Sequence, residues 1–138
     1  MENKLSLDFG SNQPKFRRKI MQNVIIDRKS KYTVVGWFVE SKEEVKKFIS
    51  GLLADKYFQK STHNTYAYRI KQENGSVLEA KNDDGETGAG NCILRELQRE
   101  EFVNTIVVVT RYFGWVHLQA DRFKNVIEAT KILLKEIK

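Results

Sequence analysis

The chain has one cysteine, two histidines and no long hydrophobic run, and each shortage closes off a class of function. Its longest unbroken apolar stretch, Ile106 to Val109, falls far short of the roughly 20 residues that a membrane-spanning helix needs. The lone Cys92 cannot form an internal disulfide and has no second thiol at metal-ligand spacing, which points to a reducing, cytoplasmic setting. It opens an apolar helical pattern, where cysteine serves as a small hydrophobe more often than as a nucleophile. Met1 to Gly10 lack the basic start, apolar block and small-residue cleavage site of a secretory signal. No Gly-x-Ser-x-Gly elbow supplies a nucleophile, so no catalytic residue is assigned.

What is present suffices for one core. With 138 residues and 41% hydrophobic content, the chain reads as a loose leader over residues 1–14 followed by one domain over 15–138. Turn formers Gly10-Ser11-Asn12-Gln13-Pro14 close the leader. The net charge of +6 is unevenly spread: Lys15, Arg17, Arg18, Lys19, Arg28, Lys29 and Lys31 crowd one segment against Asp27 alone. These side chains form either a polyanion-binding surface, for RNA or DNA, or the charged guard of a sheet edge, and composition leaves both open.

Periodicity gives the order β-β-α-β-β-α-β-α, an α+β fold with a mixed sheet and helices mainly on one face. Ile20 to Ile26 and Tyr32 to Val39 read as paired strands. Ser41 opens a capping box with Glu44, and Val45, Phe48, Ile49, Leu52 and Leu53 mark the buried face of the helix that follows. Asn74-Gly75 turns a hairpin between Thr65–Lys71 and Ser76–Lys81. Ile93, Leu94 and Leu97 mark a second helix, and Ile106 to Val109 a central strand covered on both faces. A last helix carries Phe123, Val126, Ile127, Thr130, Leu133, Leu134 and Ile137 on one stripe, with Asp121 near its start and Lys135 near its end to suit its dipole.

Between the hairpin and the second helix lies Asp83-Asp84-Gly85-Glu86-Thr87-Gly88-Ala89-Gly90. Glycines that open a helix suit an anion, yet the loop lacks the Gly-Lys-Ser/Thr end of a P-loop and does not follow Gly-x-Gly-x-x-Gly. Its carboxylates fit helix capping better than a Mg²⁺ site, so no metal is assigned; a metal-assisted hydrolase using Asp83, Asp84, Glu86 and His63 is the lesser alternative. His63 reads as structural or binding, and His117 has less support. Arg111, directly after an apolar strand, calls for an anion or a carboxylate such as Glu86. Tyr112, Phe113 and Trp115 form a binding lip or pack under the last helix.

Ser61-Thr62-His63-Asn64 leading into Tyr66-Ala67-Tyr68-Arg69, the Asp84-Gly85-Glu86 loop, and Val107-Val108-Val109-Thr110-Arg111-Tyr112-Phe113-Gly114 together resemble the signatures of the IMPACT/YigZ family core domain, in the same order. Asp121-Arg122-Phe123-Lys124 is similar to the eukaryotic branch. The resemblance implies a fold like domain 2 of ribosomal protein S5 and a binding surface at His63, Asn64, Tyr66, Asp84, Gly85, Glu86, Thr87, Arg111, Tyr112, Phe113 and Gly114. It implies no cofactor. It also implies a non-enzymatic regulator of translation that restrains the amino-acid-starvation kinase of initiation factor 2 by competing for its ribosome-associated activator, and that contacts actin. The chain departs from the family pattern at Thr87, usually proline, and at Trp115 and Gln119, usually glycine. The RWD domain of eukaryotic relatives is expected to be missing.

Overall fold

The computed structural model describes residues 12, 14 and 17–138. The elements are β1 (Arg18–Asp27), β2 (Ser30–Phe38), α1 (Lys42–Ala54), α2 (Lys56–Gln59), β3 (His63–Lys71), β4 (Val77–Asn82), α3 (Ala89–Arg99), β5 (Thr105–Tyr112) and α4 (Asp121–Ile137). The short α2 carries no apolar period of its own and is, among the described residues, the one helix that the sequence pattern did not reveal.

The apolar run in β5 organises everything else. Every β5 residue but the last is buried, and the strand sits in the middle of a sheet ordered β1-β2-β5-β3-β4. Alternation along it feeds two cores. Val107 and Val109 join Tyr32, Val34 and Ala67 beneath α3 and α4, whereas Ile106 and Val108 join Val35, Tyr68 and Ile70 beneath α1 and α2.

The α+β class holds, and two details differ from expectation. Every strand pairing in the sheet is antiparallel rather than mixed, because both hairpins reverse direction and β5 inserts between β2 and β3. The helices also divide between the faces instead of gathering on one. A strand that is apolar at successive positions cannot leave either face to water, so each needs its own cover.

Local chemistry fixes the ends. The Glu44 N–H donates to Ser41 Oγ at 3.1 Å, and the Glu44 carboxylate reaches back to accept the Glu40 N–H at 2.8 Å, one residue beyond the expected partner. Val45, Phe48 and Leu52 are buried in α1, but Leu53 is exposed. In α4 the buried stripe runs through Asn125, Val126, Ala129, Thr130, Leu133, Leu134 and Ile137; Phe123 and Ile127 lie at its margins. Within the leader, Asn12 forms a parallel bridge with Phe102, donating its N–H to the Glu101 carbonyl and accepting from the Val103 N–H. The rest of that leader, Pro14 apart, and Lys15 lie outside the described residues. Among the described residues no helix is long and apolar enough to cross a membrane.

Candidate functional site

The strand end, through Arg111 and Phe113, meets the glycine-rich loop in a groove of about 380 Å³. Thr62, His63, Gly85, Glu86, Thr87 and Arg111 line it together with Phe113, His117, Leu118, Gln119 and Arg122. Its floor is an internal ion pair. Arg111 Nη1 donates to Glu86 Oε1 at 2.6 Å, and the two residues are only 6% and 4% exposed. Arg122 Nε approaches the same carboxylate oxygen at 3.8 Å. Arg111 is further flanked by the Tyr32 and Phe113 rings, with its guanidinium carbon 5.9 and 5.5 Å from their centroids. A cation emerging from an apolar strand needs such a partner, since a buried unpaired charge is very costly.

Each of the three loop carboxylates is engaged at a different place. Asp83 caps α3, accepting the Gly88 N–H at 3.0 Å and the Gly90 N–H at 2.8 Å. The Gly88 N–H, reinforced by that of Gly90, holds the Asp83 carboxyl below its ordinary value against the opposing effect of burial. Asp84 accepts the Asn64 N–H at 2.6 Å. Glu86 belongs to Arg111. Capping therefore accounts for Asp83, and the set does not converge as metal ligands would.

His63 Nδ1 lies 2.8 Å from the Asp84 carbonyl oxygen. A carbonyl only accepts, so Nδ1 carries the proton, and in the neutral ring Nε2 is left as an acceptor. The loop fits tightly here: Gly85 has φ +85, and a Cβ on it would lie 3.4 Å from the His63 ring.

Strand alternation separates the remaining candidates. Asn64 braces the back of the site, donating from Nδ2 to the Phe58 carbonyl at 2.9 Å and accepting from Thr110 Oγ1 at 2.8 Å. Tyr66 pairs with Val108 and packs into the core under α1 and α2, on the opposite face from Arg111. Tyr112 and Gly114 line a different groove, and Trp115, 87% exposed, joins them there instead of packing under the last helix.

The basic segment divides as well. Arg17 and Arg18 stand over the Phe38 and Trp37 rings at one end of β1, with Arg28 and Lys29 in the turn at the other. At about 3.3 Å per residue, the ends of this ten-residue strand are about 30 Å apart. Lys19 lies along β1, and Lys31 faces Tyr112 across β2 and β5.

Arg122 and His117 are groove residues that sequence reasoning underweighted. Arg122 sits in the first turn of α4, where the helix dipole disfavours a cation, and that misplacement was the available signal. Its partners explain it: besides Glu86, it donates to the Gln119 carbonyl at 2.9 Å and lies 4.6 Å from the Phe123 ring centroid. Cys92 packs beside the core, its thiol pushed up by burial.

An antiparallel α+β sheet covered on both faces, with a groove floored by a buried Glu–Arg pair, defines the class. Residues 28–134 match the Impact N-terminal domain, and the chain belongs to that family. It is 37% identical over 110 residues to the Protein IMPACT homolog of Dictyostelium discoideum, and 40% over 114 residues to that of Schizosaccharomyces pombe. These alignments cover 80% and 83% of this chain but only 32% and 40% of the relatives, so the chain spans about a third to two fifths of their length. Among solved structures, one described as the two-domain translational regulator Yih1 superposes with a TM-score of 0.58 at 32% identity, covering 85% of this chain and 46% of that one. A crystal structure of a hypothetical protein gives a TM-score of 0.75 at 20% identity, covering 89% and 63%, which shows the shared fold.

Two backbone features stand out: Trp115 and Gln119, positions where the family resemblance implied glycine, have φ +67 and +56, the left-handed region that glycine enters without cost. This chain keeps the backbone and accepts the side chains.

Proposed function

We propose that this chain is a non-catalytic binding module of translation control that seats a protein partner in the Glu86–Arg111 groove. The observation that carries this reading is that each carboxylate of the loop is already engaged within the protein. Arg111 neutralises Glu86, and Asp83 and Asp84 hold backbone N–H groups, so the acidic groups build a surface and are not poised for acid–base work. The polar groups left exposed around it, Thr87, His117 and Gln119, suit recognition of another protein. The similarity to a translational regulator supports the cellular role. Its partner is the ribosome-associated activator of the amino-acid-starvation kinase, in the cytoplasm, with the ribosome and actin as further contacts. The metal-assisted hydrolase has less in its favour, because its carboxylates diverge.

Calorimetric titration of this chain with the purified activator at low salt tests the reading, since electrostatic contacts are strongest there. A complex is expected, and Thr87→Arg, which crowds the exposed loop, should weaken it about tenfold or more. No complex, or one indifferent to Thr87→Arg, overturns the proposal.

A further inference from the structure

A second groove opens beside the first, on the opposite face of the β5 strand end. Here Gly114 passes so close to the β1–β2 turn that a Cβ on it would lie 2.2 Å from the Lys29 carbonyl carbon. The Gly114 N–H donates to Ser30 Oγ at 3.1 Å, which sets Trp115 beside the turn. That turn consists of Arg28 and Lys29 at φ +46 and +73, a two-residue hairpin connection that asparagine and glycine usually fill. With Trp115 at φ +67, Lys29 and Trp115 both bring a long side chain to this opening from left-handed backbone. Folding alone would favour glycine at such positions, so what the side chains present to solvent calls for a reason.

The groove holds about 750 Å³, with Ile26, Lys29, Lys31, Tyr112, Phe113 and Trp115 on its walls and no acidic residue among the described lining. Trp115 and Phe113 have ring centroids 5.4 Å apart and planes tilted by 58°, an open pair rather than a closed stack. The wall beneath is pinned: Tyr112 donates its hydroxyl hydrogen to the Tyr57 carbonyl, and the Tyr57 hydroxyl bonds Thr33 Oγ1 at 2.8 Å. Arg28 is held by Asp27 and Asp121 at 3.0 and 2.5 Å. Lys29 and Lys31, by contrast, form no ion pair with any described residue.

We infer that this groove binds single-stranded nucleic acid, with bases stacking on Trp115 and Phe113 and phosphates meeting Lys29 and Lys31. An exposed indole beside unpaired ammonium groups suits a ligand that is flat and anionic in repeating units. A protein anchor would instead want its aromatic contacts enclosed in an apolar pocket. The inference goes beyond the partner groove: Phe113 borders both openings, but Trp115, Lys29 and Lys31 line only this one.

Fluorescence anisotropy with labelled RNA and DNA strands of about ten nucleotides, near 50 mM salt, tests it. Binding of either strand is expected, and any preference for RNA reports contact with the 2′-hydroxyl. Trp115→Ala should weaken binding about tenfold or more, and Trp115→Phe should restore most of it. Lys29→Gln with Lys31→Gln should reduce the salt slope by about 1.4, at roughly 0.7 for each phosphate contact. Arg17→Gln with Arg18→Gln should change affinity less than about twofold, because those arginines sit at the far end of β1. In the intact chain, stacking should also quench the emission of the exposed Trp115. The proposal is overturned by any of three results: no binding of either strand, binding that Trp115→Ala leaves within about twofold, or an acidic peptide that needs Trp115 and is not displaced by oligonucleotide. Loss of oligonucleotide binding with activator binding intact would refute this inference alone.

Discussion

The two grooves at the end of β5 differ in whether their charged groups find partners among the described residues. In the first, the charges are buried and paired: Arg111 holds Glu86, and Asp83 holds the start of α3. In the second, Lys29 and Lys31 face solvent beside an exposed Trp115 on left-handed backbone. One residue of strand separates them, because Arg111 and Tyr112 point to opposite faces. A paired and buried site resists mutation through stability. An exposed and strained one should lose function without losing the fold.

The largest effect should come from breaking the buried pair. Glu86→Ala leaves Arg111 without its partner and should cost about 3–5 kcal/mol in chemical denaturation. Replacing both residues with apolar ones of similar size should recover much of that, and failure to recover would show that the groove's architecture needs the charges themselves. Gly114→Ala comes next: its Cβ meets backbone that cannot rotate away, so a loss of about 3 kcal/mol is expected, together with loss of oligonucleotide binding as Trp115 is displaced.

Asp83→Asn should cost about 1–2 kcal/mol at neutral pH through its weakened cap. Its pH signature has a definite sign. The folded carboxyl lies below its ordinary 3.8, so the stabilisation is fully present above that value and is lost as pH falls through the lowered folded value. The variant's stability should therefore depend less on pH in that acid window than the parent's, and equal slopes would remove the capping carboxylate from the account. The smallest effect reverses sign. Trp115→Gly and Gln119→Gly should each raise stability by about 1 kcal/mol by relieving left-handed strain, most clearly seen as a higher melting temperature. If Trp115→Gly destabilises instead, the exposed indole has a packing role and the contrast between the grooves weakens.

Much of this was legible in residue order. The β5 run, the Ser41 cap, the stripe of α4 and the need of Arg111 for a carboxylate all follow from local chemistry, while the meeting of loop and strand end came from the family resemblance. The division of the lip was not legible. Tyr66, Tyr112 and Trp115 stand among the site motifs in sequence, yet a period of two sends Tyr66 and Tyr112 away from Arg111, and no spacing rule says which face the loop 83–90 will cover. How the basic cluster divides was not legible for a related reason: close in sequence, Arg18 and Lys29 are held apart by an extended strand.

The sequence by itself therefore determined the elements, the central strand and the residue types around the opening, since propensity, capping and apolar periodicity act over a few residues. Only the tertiary structure decided that the opening is two grooves. Which side chains share a surface depends on strand order, face and turn geometry, and these are set by packing partners far away in the chain: Glu86 against Arg111, Gly114 against Lys29, with Trp115 left exposed at the second groove.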